Sequence, residues 1–505
     1  FILIGIHTAL VDNKMEKHLL SKSTFIRAVQ CMKSLYMYKH HYDMRDPIPP
    51  ERLALFNRGS NIGILARELF PGGVDASPGH FSKLSESVIK TKALIESGAE
   101  IIYEAAFQFE QVLVLVDILV KSNGKWRGYE VKSSVKVSPT YILDASLQYY
   151  VIANSGIEVE DFFIVHINNQ YLRKGKLEVG KFFSAVSVLK DAKKNEKLIR
   201  EKITEAKKTL DEKYIPEIKI SGHCFSPYPC DFIGFCWKHV PKYSVFDLGG
   251  MTKHEQFELF NNGIEKITDI PSNYSLNISV RTQVESFSNN KIIVNKKAID
   301  EFINSLTYPL YFLDFETFMP AAPLFDNTRA YQHIPFQYSL HISKKQDSDP
   351  LHLEFLADAG SDPRKSFLVN FLRDTEGKGN IVAYNATFEK TTLTNLKNAF
   401  PEFSNEIDER IVRIKDLMMQ FQQRYFYHPK MMGSYSIKNV LPALAPELKY
   451  EDMKIAGGAG AMSAFENLQS ETDMFKIAEI REALLTYCKM DTFAMVKILE
   501  VLKKV

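Results

Sequence analysis

The sequence predicts an α/β protein built from two domains that a small helical segment joins. Three observations support this prediction. The chain has 505 residues, and at roughly 100–200 residues per domain it should hold more than one domain. Apolar runs of strand length are interleaved with longer helical stretches, the pattern of mixed sheets and helices. Hydrophobic residues make up 45% of the sequence and charged residues 25%, which is ordinary globular composition and enough for more than one core.

The first predicted domain covers residues 15–242 and combines helices with a β-hairpin. Residues 15–45, with Ser23 or Thr24 as helix cap, and residues 51–70 are predicted helices. An Asn-Gly pair between two apolar runs is a strong hairpin signal. The runs are Val112–Val120 and Gly128–Val131. The later elements are a helix over Leu143–Asn154, a strand over Phe162–Ile167, a charged helical stretch over 183–213 and an irregular segment over 222–242.

The second predicted domain covers residues 307–505. Small helices and turns over residues 243–306 connect it to the first. It has strands before and between its helices, which again indicates an α/β fold. Its elements are a strand over Leu310–Phe315, strands near 352–356 and 380–384, and a closing helix over Glu482–Lys503.

Charge and hydropathy exclude some classes of protein. The formal net charge is +2, so the chain lacks the global basic field of a histone-like binder, although a local basic groove is compatible with it. The apolar run Phe1–Ile6 is too short for a signal peptide or a membrane span. We expect Met15 to be the natural start, and we expect no membrane partner.

The cysteines indicate a reducing compartment, which favours a cytoplasmic protein. Their number is five, and an odd count with three close together does not suit a secreted disulfide framework. The three neighbours are Cys224, Cys230 and Cys236, and Cys31 lies in the first helix. This arrangement predicts a metal or cluster site.

Three acidic segments of the second domain are arranged in a specific order. Asp314 and Glu316 alternate on a strand, so they share a face about 6–7 Å apart along it. Such a pair suits a hard cation such as Mg²⁺. Glu389 follows at a strand-to-helix junction, and Tyr487 and Asp491 share one face of the last helix. We interpret Cys488, between them, as a core residue.

This order of motifs resembles the DnaQ-like exonucleases that have a tyrosine in their last motif, over about residues 307–505. The resemblance implies a ribonuclease H-like fold in which Asp314, Glu316, Glu389 and Asp491 hold two Mg²⁺ or Mn²⁺ ions. It also implies that Tyr487 orients the attacking water. The chain departs from the family at Glu389, where an aspartate is usual. A ribonuclease H-like scaffold without activity is the alternative.

A second acidic group lies on the hairpin of the first domain. Asp117 is on its first strand, and Glu130 and Lys132 share a face of its second strand. Gln148 follows on the next helix, and Glu104 is a further acid before the hairpin. Two carboxylates can hold a metal ion while the lysine stabilises charge on a phosphate or on water. The order resembles the RecB-like branch of the PD-(D/E)XK nucleases.

One early cysteine and three late ones around this group resemble the iron–sulfur nucleases of RecB type, including those of CRISPR adaptation. The resemblance implies that Cys31, Cys224, Cys230 and Cys236 bind a 4Fe–4S cluster, which would tie the first helix to the end of the domain. The chain departs from that family in two ways. Five residues separate the first late pair where two are usual, and Arg58–Ala66 has no histidine. A four-cysteine zinc site and unligated core thiols are the alternatives. We interpret the flanking His223 and His239 as surface residues.

Together the motifs resemble bacterial fusions of a RecB-like domain with a DnaQ-like domain. The resemblance implies a metal-dependent DNA nuclease that trims 3′→5′ with its C-terminal domain and has a second nuclease site in its N-terminal domain. Nucleic acid is the expected partner, DNA before RNA, and the sequence leaves protein partners unknown. The alternatives are an RNA 3′ exonuclease and a catalytically silent nucleic-acid-binding scaffold with a structural iron–sulfur or zinc site.

Overall fold

The computed structural model describes residues 18–80, 83–448, 450, 453–455 and 457–505, and these form two compact units. The first contains residues 18–47, Phe56–Tyr171 and Leu177–Phe235, and the second contains Ile48–Leu55, Leu172–Lys176 and Cys236–Val505. Both combine helices with a mixed sheet, which confirms the α/β class. The expected start at Met15 and the run Phe1–Ile6 lie outside the described residues.

The first unit is built on a mixed sheet. Its strands are β1 (Leu20–Ser21), β2 (Val74–Asp75), β3 (Ile101–Phe109), β4 (Val112–Ser122), β5 (Lys125–Lys132), β6 (Val159–Ile167) and β7 (Phe183–Ser187). The strand order is β2-β3-β4-β5-β6-β7, and β1 pairs with β4. The hairpin β4–β5 is antiparallel, whereas β6 runs parallel to β5.

Helices cover this sheet. The helices along this part of the chain are α1 (Lys22–Gln30), α2 (Met32–His40), α3 (Pro50–Ala66), α4 (Leu84–Glu96), α5 (Pro139–Asn154), α6 (Val179–Phe182), α7 (Leu189–Lys194), α8 (Glu196–Leu210) and α9 (Ile233–Cys236). The helix α5 packs on β3, β4 and β6. Its apolar side chains and those of β4 share one buried core, which includes Val114, Val116, Leu147 and Val151.

The hairpin prediction is confirmed at its turn. Asn123 and Gly124 both have positive φ, 51° and 82°, which is the backbone that a two-residue hairpin turn requires. Ser122 therefore pairs with Lys125, and the register places Glu130 and Lys132 on β5 near the end of the strand.

Two helix predictions in the first unit are partly wrong. The helix predicted over residues 15–45 is broken at Cys31, whose extended backbone (φ −165°) ends α1 and begins α2. The stretch predicted as helical from residue 183 begins with the strand β7, which pairs with β6. This strand lies at the edge of the sheet, and the charged helical pattern begins only at α7.

The second unit contains a five-stranded sheet and a small two-stranded one. The strands are β8 (Ile293–Val294), β9 (Leu310–Phe318), β10 (Ile334–Ser343), β11 (Leu351–Leu356), β12 (Ile381–Ala383), β13 (Ile414–Asp416) and β14 (Phe426–Tyr427). The larger sheet has the order β11-β10-β9-β12-β13, and β8 pairs with β14. Predicted strands at residues 310, 352 and 380 are confirmed as β9, β11 and β12, whereas β10 was not predicted.

The helices of the second unit are α10 (Lys253–Asn261), α11 (Ile278–Ser288), α12 (Lys296–Asn304), α13 (Arg364–Asp374), α14 (Ala386–Ala399), α15 (Ser404–Arg413), α16 (Met419–Gln422), α17 (Ile437–Leu444), α18 (Gly458–Leu468) and α19 (Met474–Leu502). Of these, α13, α14, α18 and α19 contact strands of the larger sheet. Residues 243–306 belong to this unit. No described helix has an apolar stretch long enough to span a membrane.

The central strand β9 is buried on both faces. Its even-numbered apolar residues Leu310, Phe312 and Phe318 belong to one core, and Leu313 and Phe315 belong to another. The predicted closing helix is confirmed as α19, which packs on β9 and β10 and begins eight residues earlier than predicted, at Met474. This packing brings α19 beside the acidic residues of β9.

Candidate functional site

The acidic residues of β9 and α19 converge in the second unit. Asp314 and Glu316 alternate on β9, and Asp491 comes from α19. Each offers a carboxylate oxygen, and these oxygens all lie within 4.8 Å of one another. A β-bulge in β10 lies opposite Glu316, and such bulges often re-aim side chains beside functional sites. The structure therefore brings together three of the predicted metal ligands, which we call the acidic trio.

The electrostatics of the acidic trio favour a cation. Burial raises the pKa of Asp314 and Glu316 well above the ordinary range, and the neighbouring carboxylates raise it further. Burial also raises the pKa of Asp491, whose Oδ1 atom has no hydrogen-bond partner. Buried carboxylates that repel one another are costly unless protons or a cation compensate them. The trio thus fits a divalent ion with oxygen ligands.

Glu389 lies beside the trio, on the first turn of α14. Its helix begins at Asn385, which has a left-handed backbone (φ 72°), a conformation that asparagine tolerates. The Asp416 carboxylate accepts the backbone N–H groups of Asn385 and Ala386 and so fixes this junction. Glu389 is 1% exposed, and its Oε2 atom has no hydrogen-bond partner. Burial and then Asp314 raise its pKa well above the ordinary range.

The predicted Tyr487 is buried beside Asp491, one turn along α19. Burial, followed by the Asp491 carboxylate, raises the pKa of its phenol far above the usual value. Tyr450, which sequence reasoning missed, is also buried, and burial and Asp491 raise its pKa in the same way. Both phenols therefore stay protonated and can donate hydrogen bonds at the site.

Cys488 is fully buried, as expected of a core residue, but it also touches the site. Its Sγ atom lies 3.4 Å from Asp314 Oδ2 and 3.8 Å from the Asp314 carbonyl oxygen. Burial and then Asp314 raise the pKa of the thiol well above its ordinary value, which keeps it a proton donor. The sequence did not predict this contact, although the position of Cys488 between Tyr487 and Asp491 could have indicated it.

Lys438 of α17 places a positive charge near the trio, and sequence reasoning missed it. Its Nζ atom lies 5.6 Å from the ring centroid of Tyr487 and 5.9 Å from that of Tyr450. Its charge acts against the burial that raises the pKa of the trio. No motif connects Lys438 to the trio in the sequence, so only the fold reveals it.

Glycines at the start of α18 allow its backbone to approach the same site. A Cβ atom added to Gly458 would lie 3.7 Å from Glu316 Oε2, and one added to Gly457 would lie only 2.6 Å from Lys438 Nζ. A larger side chain at Gly457 would therefore displace the lysine.

The predicted residues of the first unit also come together. Val131 N–H donates to Asp117 Oδ2 (2.6 Å), and Lys132 Nζ donates to Glu130 Oε1 (2.7 Å). Gln148 is fully buried, and it reaches the group through Asp144, to which its Nε2 donates (3.2 Å). Asp144 was missed by sequence reasoning, although it precedes Gln148 by one helical turn and accepts a hydrogen bond from Lys132 (2.6 Å).

Glu104 and Lys22 complete this group, which we call the acid–lysine cluster. Glu104 lies across from Asp117 between two paired positions of β3 and β4, and its backbone is left-handed (φ 53°). Such a backbone is strained for a glutamate, and strain of this kind concentrates at functional sites. Lys22, which sequence reasoning missed, donates from Nζ to Glu130 Oε1 (2.7 Å) and to the Leu115 carbonyl oxygen (3.5 Å).

The two carboxylates of the hairpin have opposite pKa shifts. Burial and the nearby Glu130 raise the pKa of Asp117 to about 8. Burial also opposes ionisation of Glu130, but Lys132 and Lys22 outweigh it and lower its pKa to about 2. Lys22 and Lys132 thus already balance the ionised Glu130. A divalent ion at Glu130 would therefore have to compete with two ammonium groups, which both bind Oε1, whereas the Oε2 atom has no hydrogen-bond partner.

Three of the four predicted cluster cysteines lie in one region of the first unit. Cys31 is at the α1–α2 break, the Cys230 thiol lies 3.4 Å from Ser34 Oγ on α2, and Cys230 N–H donates to the Cys224 carbonyl (2.8 Å). Burial raises the pKa of Cys31, and the other two thiols contribute. Cys236 ends α9.

Hydrogen bonds connect α1 to the late cysteine segment. Gln30 Nε2 donates to the carbonyls of His223 and Tyr228, both at 2.7 Å. The buried Asp231 carboxylate accepts from Arg27 (2.6 Å) and Arg45 (3.0 Å). These bonds hold α1 against the segment that carries Cys224 and Cys230.

Comparison with known families matches part of the second unit. A family model described as a domain of unknown function, DUF2779, matches residues 311–436. The match includes Asp314, Glu316 and Glu389 and ends before Lys438, Tyr487 and Asp491. No curated protein matches the chain.

Proposed function

We propose that the second unit is a metal-dependent phosphodiesterase that removes nucleotides from DNA in the 3′→5′ direction. The observation that carries this proposal is the convergence of Asp314, Glu316 and Asp491 to within 4.8 Å in a buried setting. Residues with perturbed pKa values that cluster in this way favour a catalytic site over a structural one. The order of motifs along the chain adds the reaction class.

The roles of the residues follow from their chemistry. The acidic trio and Glu389 would hold divalent ions, which supply charge stabilisation at the phosphoryl oxygens and lower the pKa of water. Tyr487 keeps its proton and is therefore suited to aim the attacking water by a hydrogen bond. Lys438 adds positive charge near the position where phosphate oxygens become more negative. The Cys488 thiol orients Asp314 by donating to it.

We propose that the acid–lysine cluster is a second nuclease site. Two observations favour this proposal. Two strands and a helix bring together Asp117, Glu130, Lys132 and Gln148. Glu130 Oε2 and Gln148 Oε1 are buried and have no hydrogen-bond partner. Lys132 would stabilise negative charge on a phosphate. The cysteine pattern supports a 4Fe–4S cluster bound by Cys31, Cys224, Cys230 and Cys236, and reduced thiols of this kind support a cytoplasmic location.

Digestion of end-labelled single- and double-stranded DNA and RNA, with and without Mn²⁺, tests the proposal. We expect trimming from DNA 3′ ends that requires Mn²⁺ or Mg²⁺ and is lost in Asp314→Ala. A folded Asp314→Ala protein that trims at the wild-type rate would disprove the assignment of the site. Trimming of RNA alone would instead favour the RNA 3′ exonuclease, and binding without any cleavage would favour the silent scaffold.

A further inference from the structure

Lys22 is held in place by the fold of the first unit. It is the first residue of α1, directly after the N-cap Ser21, whose side chain and that of Thr24 form a capping box. Leu20 and Ser21 form β1, which pairs with β4 at Val112 and Leu113. The backbone that carries Lys22 is therefore attached to the strand that carries Asp117. The position of its ammonium group follows from these contacts.

The environment of this ammonium group is that of a bound cation. Its Nζ lies 2.7 Å from Glu130 Oε1 and 3.5 Å from the Leu115 carbonyl oxygen, and Asp144 and Asp117 are further negative neighbours. The Lys22 side chain is only 29% exposed and that of Glu130 only 2%. Carboxylate and carbonyl oxygens around one positive charge are also the ligand set that Mg²⁺ and Mn²⁺ prefer.

A second lysine binds the same oxygen atom. Lys132 Nζ is also 2.7 Å from Glu130 Oε1 and 2.6 Å from Asp144 Oδ2. Lys132 is thus satisfied by two carboxylates without Lys22. Removal of Lys22 would leave space beside Glu130 for another cation. The nearby cations would then be Lys132 and Arg67, and the acids would be Glu104, Asp117, Glu130 and Asp144.

We propose that Lys22 is the resident cation of the acid–lysine cluster, and that its ammonium group competes with a divalent metal ion for the Glu130 carboxylate. Lys22 then sets the metal affinity of the first unit, and the cluster binds a divalent ion only when Lys22 swings out toward solvent. The proposal rests on the proposed function of this cluster as a second metal-dependent site. It does not require that the cluster cleave nucleic acid, because metal binding can be measured directly.

Titration calorimetry with Mn²⁺ tests the competition. The full chain would be used with Asp314→Ala and Asp491→Ala, so that the acidic trio no longer contributes. In that background we expect Lys22→Met to bind one Mn²⁺ at least about tenfold more tightly than the protein with Lys22, because a positive charge within a few ångströms of the ion has been removed. Lys125→Met is the matched control. Lys125 lies on the same hairpin but pairs with Glu158, and its replacement should leave the affinity unchanged.

A second measurement keeps Lys22 in place and does not depend on the folding of a further variant. An amine-reactive reagent would label the Asp314→Ala, Asp491→Ala protein with and without saturating Mn²⁺, and labelling at Lys22 and Lys125 would be compared by peptide mass spectrometry. We expect Mn²⁺ to increase labelling of Lys22 and not of Lys125. Unchanged labelling of Lys22 with Mn²⁺ bound would overturn the proposal.

The outcomes separate this proposal from the proposed function. Equal, tight Mn²⁺ binding before and after the Lys22→Met substitution would reject the role of Lys22 and leave the metal site standing. No binding in either protein would reject both. Tighter binding after Lys22→Met without any nuclease activity would support the role of Lys22 and count against the second nuclease site.

Discussion

At the scale of single residues, Tyr487 and Asp491 lie one helical turn apart and have different chemistry. The Tyr487 phenol keeps its proton because burial and Asp491 raise its pKa, so it cannot replace a carboxylate as a ligand. We expect Tyr487→Phe to lower the rate on the order of 100-fold, since misplacing the nucleophile has effects of that size, while the Mn²⁺ concentration for half-maximal activity stays nearly constant.

Asp491→Asn provides the contrast, because it removes a charged ligand and should raise the Mn²⁺ requirement as well as lower the rate. Exonuclease rates over a Mn²⁺ titration measure both quantities. An unchanged rate in Tyr487→Phe would rule out a role in aiming water. A large change in its Mn²⁺ requirement would show that the phenol supports metal binding instead.

Glu316 should make the metal-free protein less stable as the pH rises. Its pKa is raised in the folded state, so the folded protein binds a proton that the unfolded chain releases near pH 4–5. The stabilising contribution is therefore complete below that pH and is lost as the pH rises toward the folded-state pKa. We expect metal-free Glu316→Gln to melt above the wild type at pH 8, with a smaller difference at pH 5.

In a domain of this size, a difference of about 1 kcal/mol in the free energy of unfolding shifts the melting temperature by about 2–4 °C. Melting curves at the two pH values measure it, with the exposed Glu482→Gln of α19 as control. Mn²⁺ should stabilise the wild type more than Glu316→Gln. Parallel pH profiles for the two proteins would show that Glu316 is not buried in a protonated form.

At the scale of elements, the break between α1 and α2 places Cys31 near Cys224 and Cys230. We expect protein purified without exposure to air to be brown, with absorbance near about 400 nm from a cysteine-bound iron–sulfur cluster. Cys31→Ser should lose the colour, whereas Cys488→Ser, in the second unit, should keep it. Metal analysis that finds stoichiometric zinc and no iron would contradict this prediction.

The strand β10 shows why some elements could not be predicted. All of its residues are buried, although polar residues alternate along it. Gln337 donates to the Leu484 carbonyl (2.9 Å), and Ser339 and His341 bond to Thr492 (both 2.8 Å). The polar face is thus hydrogen-bonded to α19, about 150 residues later, although Gln337 Oε1 has no hydrogen-bond partner. Alternation in β9 and the Asn-Gly turn are local signals, and they predicted their elements correctly.

At the scale of the whole molecule, the two sites lie in separate compact units and should act independently. We expect the Asp491→Ala protein to keep a metal-dependent cleavage that is lost on adding Glu130→Ala. Adding Glu158→Ala instead, at an exposed position of the first unit, should leave it unchanged. Cleavage assays on labelled DNA and RNA measure this. If Glu130→Ala and Glu158→Ala behave alike, the acid–lysine cluster is not a nuclease site.

Most site residues that lie close together in the sequence could be predicted from it. The site residues that come from distant parts of the chain could not. The two-residue period of a strand places Asp314 and Glu316 on one face. The period of a helix does the same for Tyr487 and Asp491. Lys22 lies 108 positions from Glu130, and Lys438 reaches the trio from a separate helix. These two of the missed residues are lysines, which are common on surfaces. A lysine that acts beside carboxylates can therefore be recognised only once the structure shows it buried next to them.

The left-handed backbone of Glu104 has a consequence for how the first unit can change during evolution. The nearby strand residues Ile102 and Ala105 are fully buried, and a shift of β3 by one residue would move both side chains to the opposite face of the sheet. β3 therefore cannot shift along its neighbouring strands to relieve the backbone strain at Glu104. New chemistry in this unit can arise by replacing side chains at fixed positions around Asp117, while the register of the strand is inherited unchanged.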